Sequence, residues 1–203
     1  MDWLLYLAIA AGGYLLGSIS FGVLIAKYAG LGDLRQIGSG NIGATNVLRT
    51  GNRAAALGTL IGDGGKGALA VILGHALAGE EGAAIAAASS FLGHLYPIWL
   101  DFKGGKGVAT FLGTGLALSF GAGLSACVTW LAVAFFTRYS SLAALIAIGA
   151  APVFLAVAHH RLYAQVMAGL ALFVFYRHRA NIRRLIAGEE PKIGAKKPDA
   201  PQS

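Results

Sequence analysis

Cysteine and charge are both scarce in this 203-residue chain, and each scarcity excludes something. The one cysteine, Cys127, lies inside an apolar run. No intramolecular disulfide can form and no set of thiolates can hold a metal, so Cys127 reads as a buried structural thiol. Charged residues make up only 12% of the chain against 56% apolar ones. With a mean hydropathy of +0.66, that balance excludes a soluble globular domain and predicts one compact, multi-span membrane bundle. Carboxylates are rarer than cations, nine against sixteen, for a net charge of +7. The lysines and arginines fall in short loops between apolar runs. That placement suits the positive-inside bias and anionic lipid, and argues against a nucleic-acid partner. No G-x-x-x-x-G-K-[ST] loop occurs, so the chain holds no P-loop. Met1-Asp2-Trp3 lacks the basic segment of a secretory signal, so the first apolar run is expected to remain as a span.

Polar chemistry is compressed into three stretches. The first is Gly38-Ser-Gly-Asn-Ile-Gly-Ala-Thr-Asn-Val-Leu-Arg49. Glycines 38, 40 and 43 permit φ > 0 and close approach of a ligand to the backbone. Successive amides there make a nest that favours an anion. Ser39, Asn41, Thr45 and Asn46 add side-chain donors, and Arg49 adds a charged fork that matches phosphate. The second stretch follows Gly93-His94-Leu-Tyr-Pro97 and reads Asp101-Phe-Lys103-Gly-Gly-Lys106-Gly-Val-Ala-Thr110. Lys103 and Lys106 among Gly104, Gly105 and Gly107 make a second phosphate cradle. The third is Arg177-His178-Arg179-Ala-Asn181-Ile-Arg183-Arg184-Leu185, where a continuing helix would set His178 and Asn181 on one face.

Between these stretches the apolar runs predict the spans. Residues 3–26 form the first, with Gly13 and Gly17 as a small-residue face for a close neighbour. Residues 54–74 form the second, interrupted by Gly62-Asp-Gly-Gly-Lys-Gly67. There Asp63 and Lys66 stand i,i+3, either as a structural ion pair or in contact with ligand. Residues 75–82, without Lys or Arg, suit the opposite side, and 83–100 return across. Residues 108–137 are long for one span and short for two, and Ser119-Phe-Gly-Ala-Gly123 permits a turn at their centre. Reading two helices there puts 14 of the 16 Lys and Arg residues on the side of the three polar stretches, as the positive-inside bias demands. The count is then seven, with 140–158 and 162–176 as the last two spans. His159-His160-Arg161 has no third ligand or carboxylate for a metal and reads as an interfacial turn. The bundle is expected to occupy 1–187. The Pro-, Lys- and Glu-containing tail, 188–203, is expected to be disordered on the cytoplasmic side.

Together the three stretches resemble those of the bacterial acyl-phosphate:glycerol-3-phosphate acyltransferases, the PlsY family, in order and over nearly all of the chain before the tail. The resemblance rests on Gly38–Asn46 with Arg49, on Gly93-His94 and Pro97 running into Phe102–Thr110, and on His178–Leu185. It implies a seven-span, all-α inner-membrane enzyme with its motifs at the cytoplasmic face. Such an enzyme moves an acyl group from acyl phosphate to the sn-1 hydroxyl of glycerol 3-phosphate, with no cofactor or metal and no need for acyl-CoA or acyl carrier protein. By resemblance and donor count, Asn41, Gly43, Thr45 and Asn46 go to the acyl phosphate. Ser39, Arg49, Lys106, His178 and Asn181 go to glycerol 3-phosphate as the catalytic set, and Lys103, Gly104, Gly105 and Gly107 to substrate binding. His178 is either a neutral donor orienting phosphate or the general base, with a substrate phosphate as the other proton acceptor. Ser39 as a covalent nucleophile lacks an activating base. The His-x-x-x-x-Asp pair of soluble-type glycerolipid acyltransferases is absent, and His94 reads as a structural residue at a helix end. A transporter of a phosphorylated metabolite is the rival reading; it calls for an inverted repeat, and none is evident.

Overall fold

The computed structural model describes residues 3–194 and is all-helical over them. The first apolar run breaks into α1 (Trp3–Ser18) and α2 (Phe21–Tyr28), leaving Ile19 and Ser20 outside both helices. The expected small-residue face of α1 is used. A Cβ on Gly17 would run into the carbonyl of Ser90, so glycine there lets α1 lie directly against the neighbouring backbone. After a 3-10 turn at Leu34–Gln36 comes the short α3 (Ala44–Leu48). Next is α4 (Arg53–Leu95), whose regular geometry fails at Ala78 and Gly79. Gly79 takes φ 62°, and a Cβ on Gly74 would meet the carbonyl of Gly82. Residues eight apart in a straight helix are about 12 Å apart, so α4 is a hairpin of two helices, 53–77 and 80–95.

Residues 108–137 form two helices, as the charge distribution predicts. These are α5 (Val108–Leu118) and α6 (Phe120–Thr137), parted where Ser119 takes the extended conformation. Then come α7 (Ser140–Val157), α8 (Arg161–Arg177) and α9 (Arg179–Ile186). Phe91, Phe111, Ile148, Leu155 and Met167 fill the main core, with the Phe91 and Phe111 rings edge to face at 6.2 Å. Outside, Phe120, Phe136, Val157 and Leu172 are each at least 70% exposed, the surface expected of a protein whose solvent is lipid. Among the described residues, four helical segments are long and apolar enough to cross a membrane: Trp3–Tyr28, Arg53–Leu100, Phe120–Thr137 and Ser140–Val157.

The tail departs from expectation. Residues 189–194 fold back on the bundle instead of leaving it at 188. The Ile193 amide donates to the Arg138 carbonyl at 2.7 Å, and Glu190 is only 8% exposed. The cause is charge: a carboxylate is drawn into a cluster of cations, a pull that apolar periodicity cannot register. Residues 195–203 lie outside the described residues, and the expectation for them with it.

Candidate active site

The first polar stretch is folded around one side chain. Asn46, 2% exposed, accepts at Oδ1 from the Ser39 amide (3.0 Å), the Ser39 hydroxyl (3.3 Å) and Arg49 Nη1 (3.4 Å). Its Nδ2 donates to the Leu34 carbonyl at 2.8 Å. Asn46 therefore shapes the loop and aims Ser39 and Arg49, with one of its two amide N–H donors engaged by Leu34. Gly38 (φ 52°) and Gly40 (φ 69°) use the left-handed region, as their type permits. Gly43 does not; at φ −83° it begins α3 in extended geometry. Thr45 meets Ser140 at the start of α7, 3.1 Å between hydroxyls. Asn41, Gly43 and Thr45 line the cleft described below.

In the second stretch the glycine amides are not free to cradle an anion. Gly104 donates to the Leu95 carbonyl (3.0 Å) and Gly105 to the His94 carbonyl (3.2 Å), tying the loop to the end of α4. Their own carbonyls accept from Arg177, at 2.7 and 3.2 Å. Lys103 is exposed and does not line the cleft; its carbonyl accepts from Arg35. Of the expected cradle, Lys106 and Gly107 line the cleft. Gly107 turns at φ 84° into α5, whose first residues, Val108 and Ala109, border the cleft.

The third stretch supplies His178 and Asn181, buried at 3% and 5% exposure although the helix breaks between α8 and α9 at His178. Asn181 is a bridge. Its Oδ1 accepts from Lys106 Nζ at 2.6 Å, and its Nδ2 donates to Glu190 Oε1 at 2.6 Å. Glu190 also accepts from Ser141 (2.7 Å) and Arg184 (2.7 Å). Burial alone would raise its pKa, but these hydrogen bonds and the Arg184 charge hold it below the ordinary value. Burial pushes Lys106 down to about 8, with the Glu190 charge opposing and Arg184, Arg49 and Arg177 assisting. His178 is pushed down to about 4, chiefly by burial and then by the Lys106 charge. Its Nδ1 lies 2.8 Å from the Val174 carbonyl. A carbonyl can only accept, so the neutral ring carries its proton on Nδ1 and leaves Nε2 as an acceptor. That tautomer presents an acceptor at Nε2, where the sequence reading offered a donor to phosphate.

These residues line one cleft of about 760 Å³ at one end of the bundle. Ser39, Arg49, Lys106, His178 and Asn181 all border it, with Arg53, Arg184 and Glu190 beside them. It continues between α4, α5 and α6 as an apolar trough walled by Leu57, Leu60, Leu112, Leu116 and Leu131. Glu190, Ser140 and Ser141 escaped the sequence reading, as did the clamp that Arg177 of the third stretch places on Gly104 and Gly105. The Glu189-Glu190 pair just after an arginine-rich helix was the available signal for Glu190, whereas the serines and the clamp carry none. Among the described residues no three His, Cys, Asp or Glu side chains gather as metal ligands.

A cationic cleft opening into an apolar trough defines a membrane protein that handles a small anion and a lipid chain together. The family model described as glycerol-3-phosphate acyltransferase matches residues 7–188. The chain is 58% identical over 184 residues to a glycerol-3-phosphate acyltransferase of Cereibacter sphaeroides, covering 91% of this chain and 88% of the relative. It is 57% identical to that of Paramagnetospirillum magneticum, with 94% of each covered. A crystal structure of PlsY (YgiH), an integral membrane glycerol 3-phosphate acyltransferase in its glycerol 3-phosphate form, superposes with a TM-score of 0.89 at 38% identity, covering 93% of this chain and 96% of that one. The lysophosphatidic acid form gives 0.85 at 36% identity, with 93% and 95% covered. The chain belongs to the glycerol-3-phosphate acyltransferase family.

Proposed function

We propose that the chain transfers a fatty acyl group from acyl phosphate to the sn-1 hydroxyl of glycerol 3-phosphate, giving lysophosphatidic acid and inorganic phosphate. The observation that carries this is the joining of a cationic, hydrogen-bonding cleft to an apolar trough in one 760 Å³ space. Both proposed substrates bear a phosphate, and only one bears a long chain. The chain fits the trough, with its phosphoryl group near Asn41, Gly43 and Thr45. Glycerol 3-phosphate fits among Ser39, Arg49 and Lys106. Lys106 carries three donors and engages one with Asn181, so the others can meet phosphate. Each charge-assisted bond contributes roughly 1.5–3 kcal/mol, enough for a few to hold a small metabolite.

In the transfer, the sn-1 oxygen attacks the carbonyl carbon, the bond from that carbon to the phosphate oxygen breaks, and phosphate departs with the electron pair. His178 Nε2 accepts a hydrogen bond from the hydroxyl and orients it. An imidazole held at about 4 is a weaker base than a phosphate monoester, whose second pKa is about 6, so the proton passes to a phosphate oxygen. Proximity and electrostatic preorganisation carry the rate. The same reading counts seven crossings: α1 with α2, the two arms of α4, then α5 to α8. The cleft lies at the cytoplasmic face of the inner membrane, on the side of the basic loops. The test is purified protein given acyl phosphate and glycerol 3-phosphate without acyl-CoA or acyl carrier protein. Lysophosphatidic acid and phosphate should form one for one; dependence on either carrier, or an acyl group trapped on Ser39, overturns the reading.

A further inference from the structure

At the floor of the cleft, bordered by Asp63 and His94, sits a second polar cluster that the proposed chemistry does not use. Asp63, Lys66 and His94 are 2%, 3% and 3% exposed. Lys66 Nζ donates to Asp63 Oδ1 (2.9 Å), to the Ile19 carbonyl (2.6 Å) and to His94 Nδ1 (2.9 Å), which engages all three of its protons. Ile19 is the residue at the break between α1 and α2, where its carbonyl lies outside either helix. Because Nδ1 accepts, the His94 ring carries its hydrogen on Nε2. That edge lies under Gly105, where a Cβ would collide with it. The His94 carbonyl also receives the Gly105 amide at 3.2 Å, while Arg177 clamps the Gly104 and Gly105 carbonyls. The loop is thus gripped one residue before Lys106. The same lysine fixes the α1–α2 break, and α2 leads on to the loop that holds Ser39 and Arg49.

We propose that Asp63, Lys66 and His94 form a positioning hub: one saturated buried lysine sets the register of both anion-binding loops, and His94 transmits it to Lys106. The inference rests on the reading that Lys106 binds the phosphate of glycerol 3-phosphate. Its test is His94→Asn, which retains an acceptor for Lys66 where Nδ1 stood and removes the ring edge under Gly105. The expected result is a KM for glycerol 3-phosphate raised about tenfold, with kcat within about threefold and the unfolding temperature near that of the wild type. The paired variant Asp63→Asn/Lys66→Met, which removes both charges and keeps both shapes, should show the same split and decides the matter if His94→Asn does not fold. In a Lys106→Ala background, His94→Asn should add almost nothing, because it acts through that lysine. An unchanged KM in the folded variants overturns the hub. So does full additivity with Lys106→Ala, which would place His94 on the substrate itself. If Lys106→Ala alone leaves KM unchanged, the reading of Lys106 falls, and the hub built on it falls too.

Discussion

Two lysines sit within one network of loops and face opposite circumstances. Lys66 is enclosed by three acceptors and has no proton left for a ligand. Lys106 touches Asn181 and otherwise looks into the cleft. Burial penalises both charges, but only Lys66 has a carboxylate in direct contact. The difference teaches how to separate structural from functional charge in an apolar bundle. A satisfied cation holds shape, whereas a half-satisfied one beside a cavity is ready for an anion. The carboxylates divide in the same way. Asp63 neutralises Lys66 directly, while Glu190 acts on Lys106 across Asn181 and leaves its ammonium accessible.

The comparison breaks most visibly at Lys66. Lys66→Met leaves the Asp63 carboxylate buried without its partner and the Ile19 carbonyl without a donor. Breaking a buried pair from one side costs about 3–5 kcal/mol, so thermal unfolding in detergent should show a large loss, most of it recovered when Asp63→Asn is added. A stable Lys66→Met would remove the distinction between the two lysines. His178 should give the next largest effect. His178→Ala should lower kcat/KM about ten- to a hundredfold, and His178→Gln, which can still accept a hydrogen bond, less. Equal losses of about 10²–10⁴-fold in both would instead make His178 the base. A smaller effect sharpens the account of Lys106. Its pKa of about 8 leaves it charged below that pH and neutral above. For glycerol 3-phosphate, kcat/KM should therefore fall above pH 8 by about tenfold per unit at most, since the pH profile of this ratio reports the free enzyme. Lys106→Arg should flatten that limb.

Much of the fold was legible from residues, because apolar run length and turn-permitting residues report on where helices run and break. The split at Ser119 falls where Ser119-Phe-Gly-Ala-Gly123 permits a turn, and the i,i+3 spacing of Asp63 and Lys66 agrees with their 2.9 Å pair. Ser39, Arg49, Lys106, His178 and Asn181 were all read as site residues, and one cleft gathers them. What escaped depends on contacts far apart in the chain. Glu190 reaches Ser141 across 49 positions, Arg177 reaches Gly104 across 73, and no local pattern encodes either. Glycine richness at 104 and 105 has a packing partner. It signals close backbone approach, and there the near neighbour is the end of α4. His94, read as a structural helix end, has a particular partner, Lys66, that spacing could not name.

The central claim is that the spare donors of Lys106 hold the phosphate of glycerol 3-phosphate. Equilibrium binding of glycerol 3-phosphate to the purified wild type and to Lys106→Met tests it without the complications of turnover. Loss of one charge-assisted contact, about 1.5–3 kcal/mol, should weaken affinity roughly ten- to a hundredfold with the fold intact. Equal affinity in a folded Lys106→Met would contradict the account.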